Sequence, residues 1–131
     1  MQNRQSNPET VPPPGGHYTH AIEVAPGARW LVVSGQTGNA ADGSIPKDMT
    51  GQATNAWTSL IRILEANGMR ASDIVKVTHF LTRREDFAAY NAVRLKFLGE
   101  HKPASTLLYI SGLASPDFLV EVEITAAKAT D

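Results

Sequence analysis

Two glutamates set two residues apart, Glu121 and Glu123, alternate with apolar residues in the run from Leu119 to Ala126, where Thr125 continues their face. Side chains alternate along a strand, so both carboxylates fall on one face, roughly 6–7 Å apart, while Val120, Val122, Ile124 and Ala126 fall on the other. Burial that shifted one carboxyl away from its neighbour would suit the pair to acid and base work. A solvated strand face or an ion pair would use the same spacing. The histidines are less promising as a group. His17 and His20 are three apart on a segment read as a strand and point to opposite faces, which makes them poor partners for one metal. His79, on an apolar strand, reads as a packed or hydrogen-bonded histidine, and His101 follows a helix end where a cation is favourable.

The 131 residues contain no cysteine, which removes disulfides, thiolate metal sites and thiol nucleophiles together. The glycine-rich Ser34-Gly35-Gln36-Thr37-Gly38 lacks the lysine of a phosphate loop, and no nucleophile elbow, dinucleotide fingerprint or paired-histidine zinc motif is present. No metal and no cofactor are expected. Twelve Lys and Arg against thirteen Asp and Glu give a net charge of -1 without a basic stripe, so nucleic acid is not an expected partner. No apolar run approaches the roughly 20 residues of a membrane span, and no secretory signal pattern opens the chain, so a cytoplasmic protein without membrane contact is expected.

The elements that must position these residues follow from periodicity. Residues 1–15 are polar and proline-rich and read as a flexible arm ahead of a single domain over 16–131. Tyr18 to Val24 and Trp30 to Val33 flank Pro26-Gly27 and suggest an antiparallel hairpin. Ala53, Trp57, Leu60 and Leu64 recur at helical spacing and predict a helix over Met49 to Asn67, with Thr50 as N-cap and Gly68 as the left-handed residue after it. Ile74 to Leu81 reads as a strand, Asp86 to Leu98 as a second helix, and Thr106 to Ile110 and Leu119 to Ala126 as the last strands. The order is β-β-α-β-α-β-β. In the third strand Val75, Val77 and Leu81 face one way and Ile74 and Phe80 the other, so two helices cannot cover all the apolar surface. Self-association through the uncovered sheet face is the expected remedy.

Several segments occur in an order that goes beyond periodicity: Gly16-His17-Tyr18, Val33-Ser34-Gly35-Gln36, Ile74-Val75-Lys76-Val77-Thr78, Asn91, Pro103-Ala104 and Val120-Glu121-Val122-Glu123. This pattern, spanning about Gly16 to Lys128, resembles the Rid (YjgF) family, whose members include deaminases of reactive imines and enamines. The resemblance implies a chorismate-mutase-like α+β subunit with one mixed β-sheet backed by two α-helices. It also implies a homotrimer with the sheets facing inward and small-molecule clefts between subunits.

In the active deaminases of that family an arginine directly after the Pro-Ala pair grips the substrate carboxylate. Ser105 stands there in this chain, and no arginine follows Arg94. Giving up a bidentate, charge-assisted grip costs roughly 1.5 to 3 kcal/mol per hydrogen bond. Arg29, Arg83, Arg84 and Lys102 are the cations considered as substitutes. By the same resemblance Tyr18 offers a ring and hydroxyl, Gly35 a backbone amide and Asn91 a polar lining, and Glu121 orients the attacking water with help from the carbonyl of Leu107. Thr106 joins Ser105 in binding. Each has a plainer role open to it: packing for Tyr18, the freedom to turn for Gly35, and capping or bridging of backbone for Asn91. His17 departs from the family's usual proline. Two functions compete, a hydrolytic deaminase of small imines or enamines and a non-catalytic trimer that binds a small metabolite in the same clefts. A third, ribonuclease action, is disfavoured by the absent basic stripe.

Overall fold

The computed structural model describes residues 2–130. Six strands and two helices appear in the order β1 (Arg4–Ser6), β2 (Ala21–Glu23), β3 (Arg29–Thr37), α1 (Met49–Ala66), β4 (Ile74–Leu81), α2 (Phe87–Leu98), β5 (Ala104–Tyr109) and β6 (Val120–Lys128). The main sheet has the order β3-β6-β4-β5, with β4 and β5 parallel and the other pairs antiparallel. Its mixed pairing and the two helices packed on one side match the expected α+β architecture.

Helix α1 forms because its apolar side chains return every three or four residues. Ala53, Ala56, Trp57, Leu60 and Leu64 are all fully buried against the sheet. The helix begins at Met49 with Asp48, not Thr50, in the N-cap position. Thr50 lies within the first turn, where its carbonyl accepts from the Thr54 hydroxyl. It ends as expected: Gly68 takes φ 71°, a left-handed conformation that costs glycine little, and its N–H reaches the carbonyl of Glu65. β4 spans the expected residues, but its register shifts between Ile74 and Lys76. That irregularity turns Ile74 into the core beside Val77, whereas simple alternation puts it on the opposite face. β6 keeps its alternation, with Val120, Val122, Ile124 and Ala126 buried beneath the helices.

Two expectations are corrected at the N-terminal end. β2 does not form a hairpin with β3; it pairs with β1 in a separate two-stranded ribbon, Gln5 opposite Ile22. The turn at Pro26-Gly27 reverses the chain without determining the partner. The arm is therefore tethered over Arg4–Ser6, and Asn3 adds a hydrogen bond from its side-chain amide to the carbonyl of Ala127 at 2.8 Å.

The sheet face away from the helices carries Val32, 81% exposed, Trp30, 56% exposed, and Leu108, with the half-buried Phe80 beside Leu108 by register. Lys76, Thr78, Thr106, Glu123 and Thr125 share that face by register.

Candidate functional site

A cleft of about 370 Å³ opens between the start of β5, helix α2 and the segment before β2, lined by Gly15, Gly16, Tyr18, Phe87, Arg94, Ser105 and Leu107. Its walls are brought together by backbone. Thr19 forms a parallel bridge with Ala104 and donates its N–H to the carbonyl of Pro103 at 3.2 Å, which sets Tyr18 beside Ser105. Tyr18 in turn accepts the N–H of Gly15 on its hydroxyl at 3.2 Å. This segment is a loop rather than the expected strand, and it serves as the rim of the cleft.

Ser105 lies opposite Val77 in the parallel pair, so it shares the helix-facing side of the sheet. There it meets a buried polar chain. The Trp57 indole N–H donates to the Tyr90 hydroxyl at 3.2 Å, Tyr90 Oη contacts His79 Nδ1, and His79 Nε2 lies 3.0 Å from Ser105 Oγ. Trp57, Tyr90 and His79 are fully buried. With Tyr90 donating to Nδ1, the imidazole carries its proton on Nε2 and donates to Ser105 Oγ, leaving the serine O–H for the cleft; Arg94 Nη1, a donor only, is then a neighbour of Nε2 at 3.4 Å and not its hydrogen-bond partner. Burial, reinforced by the positive charge of Arg94 and then of Lys76, holds the His79 pKa down at about 3. Burial likewise pushes the Tyr90 hydroxyl above its ordinary value. His79 is thus the packed, hydrogen-bonded histidine that its surroundings in the sequence suggested.

Arg94 is a member of the cleft that the sequence patterns did not single out. It is only 5% exposed, its Nε donates to Asn91 Oδ1 at 2.8 Å, and its Nη1 lies 3.4 Å from His79 Nε2. Burial lowers its pKa from the ordinary guanidinium value. The signal for it was present: Tyr90, Arg94 and Leu98 are spaced four apart on one helix face, so a cation occupies a core position. Of the substitutes considered from the sequence, none lines the cleft. Arg83 is bound to Asp86 at 2.8 Å, Arg84 stacks over the Tyr109 ring, and Arg29 donates to the carbonyl of Asn67. Lys102 likewise stands outside the lining.

The remaining expected residues divide between two places. Asn91 joins this group as the acceptor that holds Arg94. Leu107 forms the apolar wall. Thr106 follows Ser105 on a strand and so points to the other sheet face, where its hydroxyl meets Lys76 Nζ at 2.7 Å. Glu121 and Gly35 form a second cluster, on adjoining strands: Glu121 pairs with Thr37 of β3, and its side chain leaves the sheet on the face opposite the buried Val120 and Val122. A Cβ placed on Gly35 would lie 2.8 Å from the Glu121 Cδ and closer still to a carboxylate oxygen, so glycine is what leaves room for this carboxylate. Within one chain, then, the Ser105 cleft and Glu121 stand on opposite faces of the sheet. Among the described residues no three His, Asp or Glu side chains converge as a metal site requires, and no helix is long and apolar enough to cross a membrane.

Comparison with known proteins gives a consistent answer. A family model described as Endoribonuclease L-PSP matches residues 9–128. A RutC family protein of Pyrococcus horikoshii is 36% identical over 92% of this chain and 94% of its own length. The 2-iminobutanoate/2-iminopropanoate deaminase of Escherichia coli is 31% identical over 92% of this chain and 94% of its own length. Among solved structures, a Rid family protein of unknown function from Yersinia pestis superposes with a TM-score of 0.83 at 27% identity, covering 96% of this chain and 98% of its own. The fold is accordingly the chorismate-mutase-like α+β fold expected from the sequence. A matched segment of 120 residues, relatives that align almost end to end and this shared fold make the chain a member of the Rid (YjgF) family.

Proposed function

We propose that this protein hydrolyses the C=N bond of small imine metabolites, and of enamines once tautomerised to imines, in the cytoplasm, in clefts completed where one copy meets the next in a homotrimer with inward-facing sheets. The observation that carries the reading is the split of the site: Tyr18, Ser105 and Leu107 line one cleft with Asn91 holding Arg94 beside it, while Glu121 lies against Gly35 on the other face of the sheet. A neighbouring copy that covers Val32, Trp30 and Leu108 would bury the exposed apolar side chains and bring its own Glu121 to the rim of the cleft. The family includes 2-iminobutanoate/2-iminopropanoate deaminases, which supports the same class of chemistry.

The reaction needs little machinery. Glu121 accepts a proton from water as the water oxygen bonds to the imine carbon, and the C=N π pair moves onto nitrogen, which is protonated. The resulting carbinolamine loses ammonia as its C–N bond breaks. The hydroxyl proton leaves and the C=O bond forms, so one imine and one water yield one carbonyl compound and one ammonia. Ser105 contributes a hydrogen bond rather than a nucleophile. A histidine with a pKa of about 3 is too weak a base to take the serine proton near neutral pH.

The test is ammonia release from freshly generated 2-iminobutanoate above its spontaneous rate. Wild type should accelerate it, and Glu121→Gln should reduce the acceleration by about 100-fold or more, the scale of a missing general base. Ser105 in the arginine position favours a second reading, a metabolite-binding trimer without turnover. Saturable ligand binding with no acceleration by wild type would establish that reading in place of the first.

A further inference from the structure

Resting on the reading of the cleft as a substrate site, we infer that Arg94, projecting from α2, is the anion anchor of this protein, with the Ser105 hydroxyl as second donor. The anchor has moved from the strand to the facing helix.

Arg94 is almost fully buried, yet no Asp or Glu pairs with it; the ion pairs among the described residues are Arg4 with Glu23 and Arg83 with Glu85 and Asp86. A buried charge without a counter-charge is costly, and an anion entering from the cleft would relieve that cost. The guanidinium is also held in place from behind. Its Nε is committed to Asn91, and its Cζ lies 6.0 Å from the centre of the Phe87 ring. Nη2 has no hydrogen-bond acceptor among the described residues and faces the glycine rim, where a Cβ built on Gly16 would be 3.9 Å away. Two glycines at that rim leave space in front of the free edge of the fork.

Ser105 completes the clamp. The Trp57–Tyr90–His79 chain can satisfy the serine oxygen from within, so its proton is available to an incoming oxygen. Phe87, Leu107 and the Tyr18 ring line the rest of the cleft and suit an aliphatic chain of a few carbons. A helix-borne arginine and a strand-borne serine thus offer the charge and the second donor that one strand arginine would supply alone.

The full-length protein would be titrated by calorimetry with 2-oxobutanoate, the stable keto acid, and with 2-oxobutanamide, its uncharged analogue. Wild type should prefer the acid by about tenfold or more, the scale of one hydrogen bond to a charged group. Arg94→Met should abolish the preference, the acid losing about tenfold more affinity than the amide. Ser105→Arg in the Arg94→Met background should restore it, which a purely structural arginine would not allow. Thermal melts check folding, and Arg94→Gln serves as the second variant if Arg94→Met does not fold. No acid preference in wild type, or a preference that persists in a folded Arg94 variant, overturns the inference. The two readings fail separately: acid preference without ammonia release defeats the deaminase and leaves the anchor, while undiminished imine turnover in Arg94→Met defeats the anchor and leaves the deaminase.

Discussion

At the scale of single residues, the chemistry of the cleft depends on groups that never touch solvent. His79 is kept neutral by burial and by the charges of Arg94 and Lys76, and its pKa of about 3 lies well below that of an exposed histidine. The consequence for stability has a definite sign. Below the unfolded pKa near 6.5 the unfolded chain takes up a proton that the folded chain refuses, so stability falls as pH drops from about 6.5 toward 3. The slope from this group is at most about 1.4 kcal/mol per pH unit. Melting curves between pH 7 and 4.5 should therefore show a steeper loss of Tm in wild type than in His79→Gln; parallel losses would show that the histidine is not the source. From the sequence, Tyr18, Ser105 and Leu107 could be named through the family resemblance, and Glu121 through that resemblance and its place in an alternating strand. Arg94 was hidden because no local motif surrounds it, although its four-residue spacing from Tyr90 already put a cation on the apolar face of α2. Thr106 shows the reverse: strand alternation alone separates it from Ser105.

At the scale of elements, the site depends on how loops are pinned to α1. Gln52 is fully buried, and its amide nitrogen donates to the carbonyls of Pro46 and Asp117, both at 2.8 Å. Its Oε1 accepts the N–H of Leu119 at 2.8 Å, two residues before Glu121. One side chain thus fixes the loop before α1 and the entry to β6. Gly38 makes room for it, since a Cβ there would lie 2.7 Å from the Gln52 oxygen. Gln52→Leu takes this partner from three part-buried backbone groups and should cost about 1–3 kcal/mol in denaturant unfolding. A cost under about 0.5 kcal/mol, the range of an ordinary surface substitution, would mean that water or neighbouring groups replace the amide. Helix α1 and strand β4 were legible because their apolar spacing is dictated by burial on one side. The β1-β2 ribbon was not, because Arg4, Gln5, Ala21 and Glu23 are exposed and the three-residue pairing leaves no periodic apolar trace. The irregularity at the start of β4 was equally silent, since Ile74 and Val75 are both apolar and alternation cannot say which one turns inward.

At the scale of the whole molecule, the proposed chemistry stands on a site that one chain does not complete. Arg94 and Ser105 face one side of the sheet and Glu121 the other, so the proposed chemistry draws them from different copies. The apolar mismatch between the two sheet faces was visible in the sequence and pointed to self-association, whereas the division of the site between faces emerges only from strand register. Complementation tests it directly. Arg94→Met and Glu121→Gln subunits, each assembled alone, should be nearly inactive toward 2-iminobutanoate. Unfolded and reassembled as an equal mixture, random cyclic trimers with one intact cleft in each mixed assembly should recover about a quarter of wild-type ammonia release. Recovery near that level is the result predicted here, and a mixture as inactive as its parents, beside an active and reassembled wild type, would contradict a cleft shared between subunits.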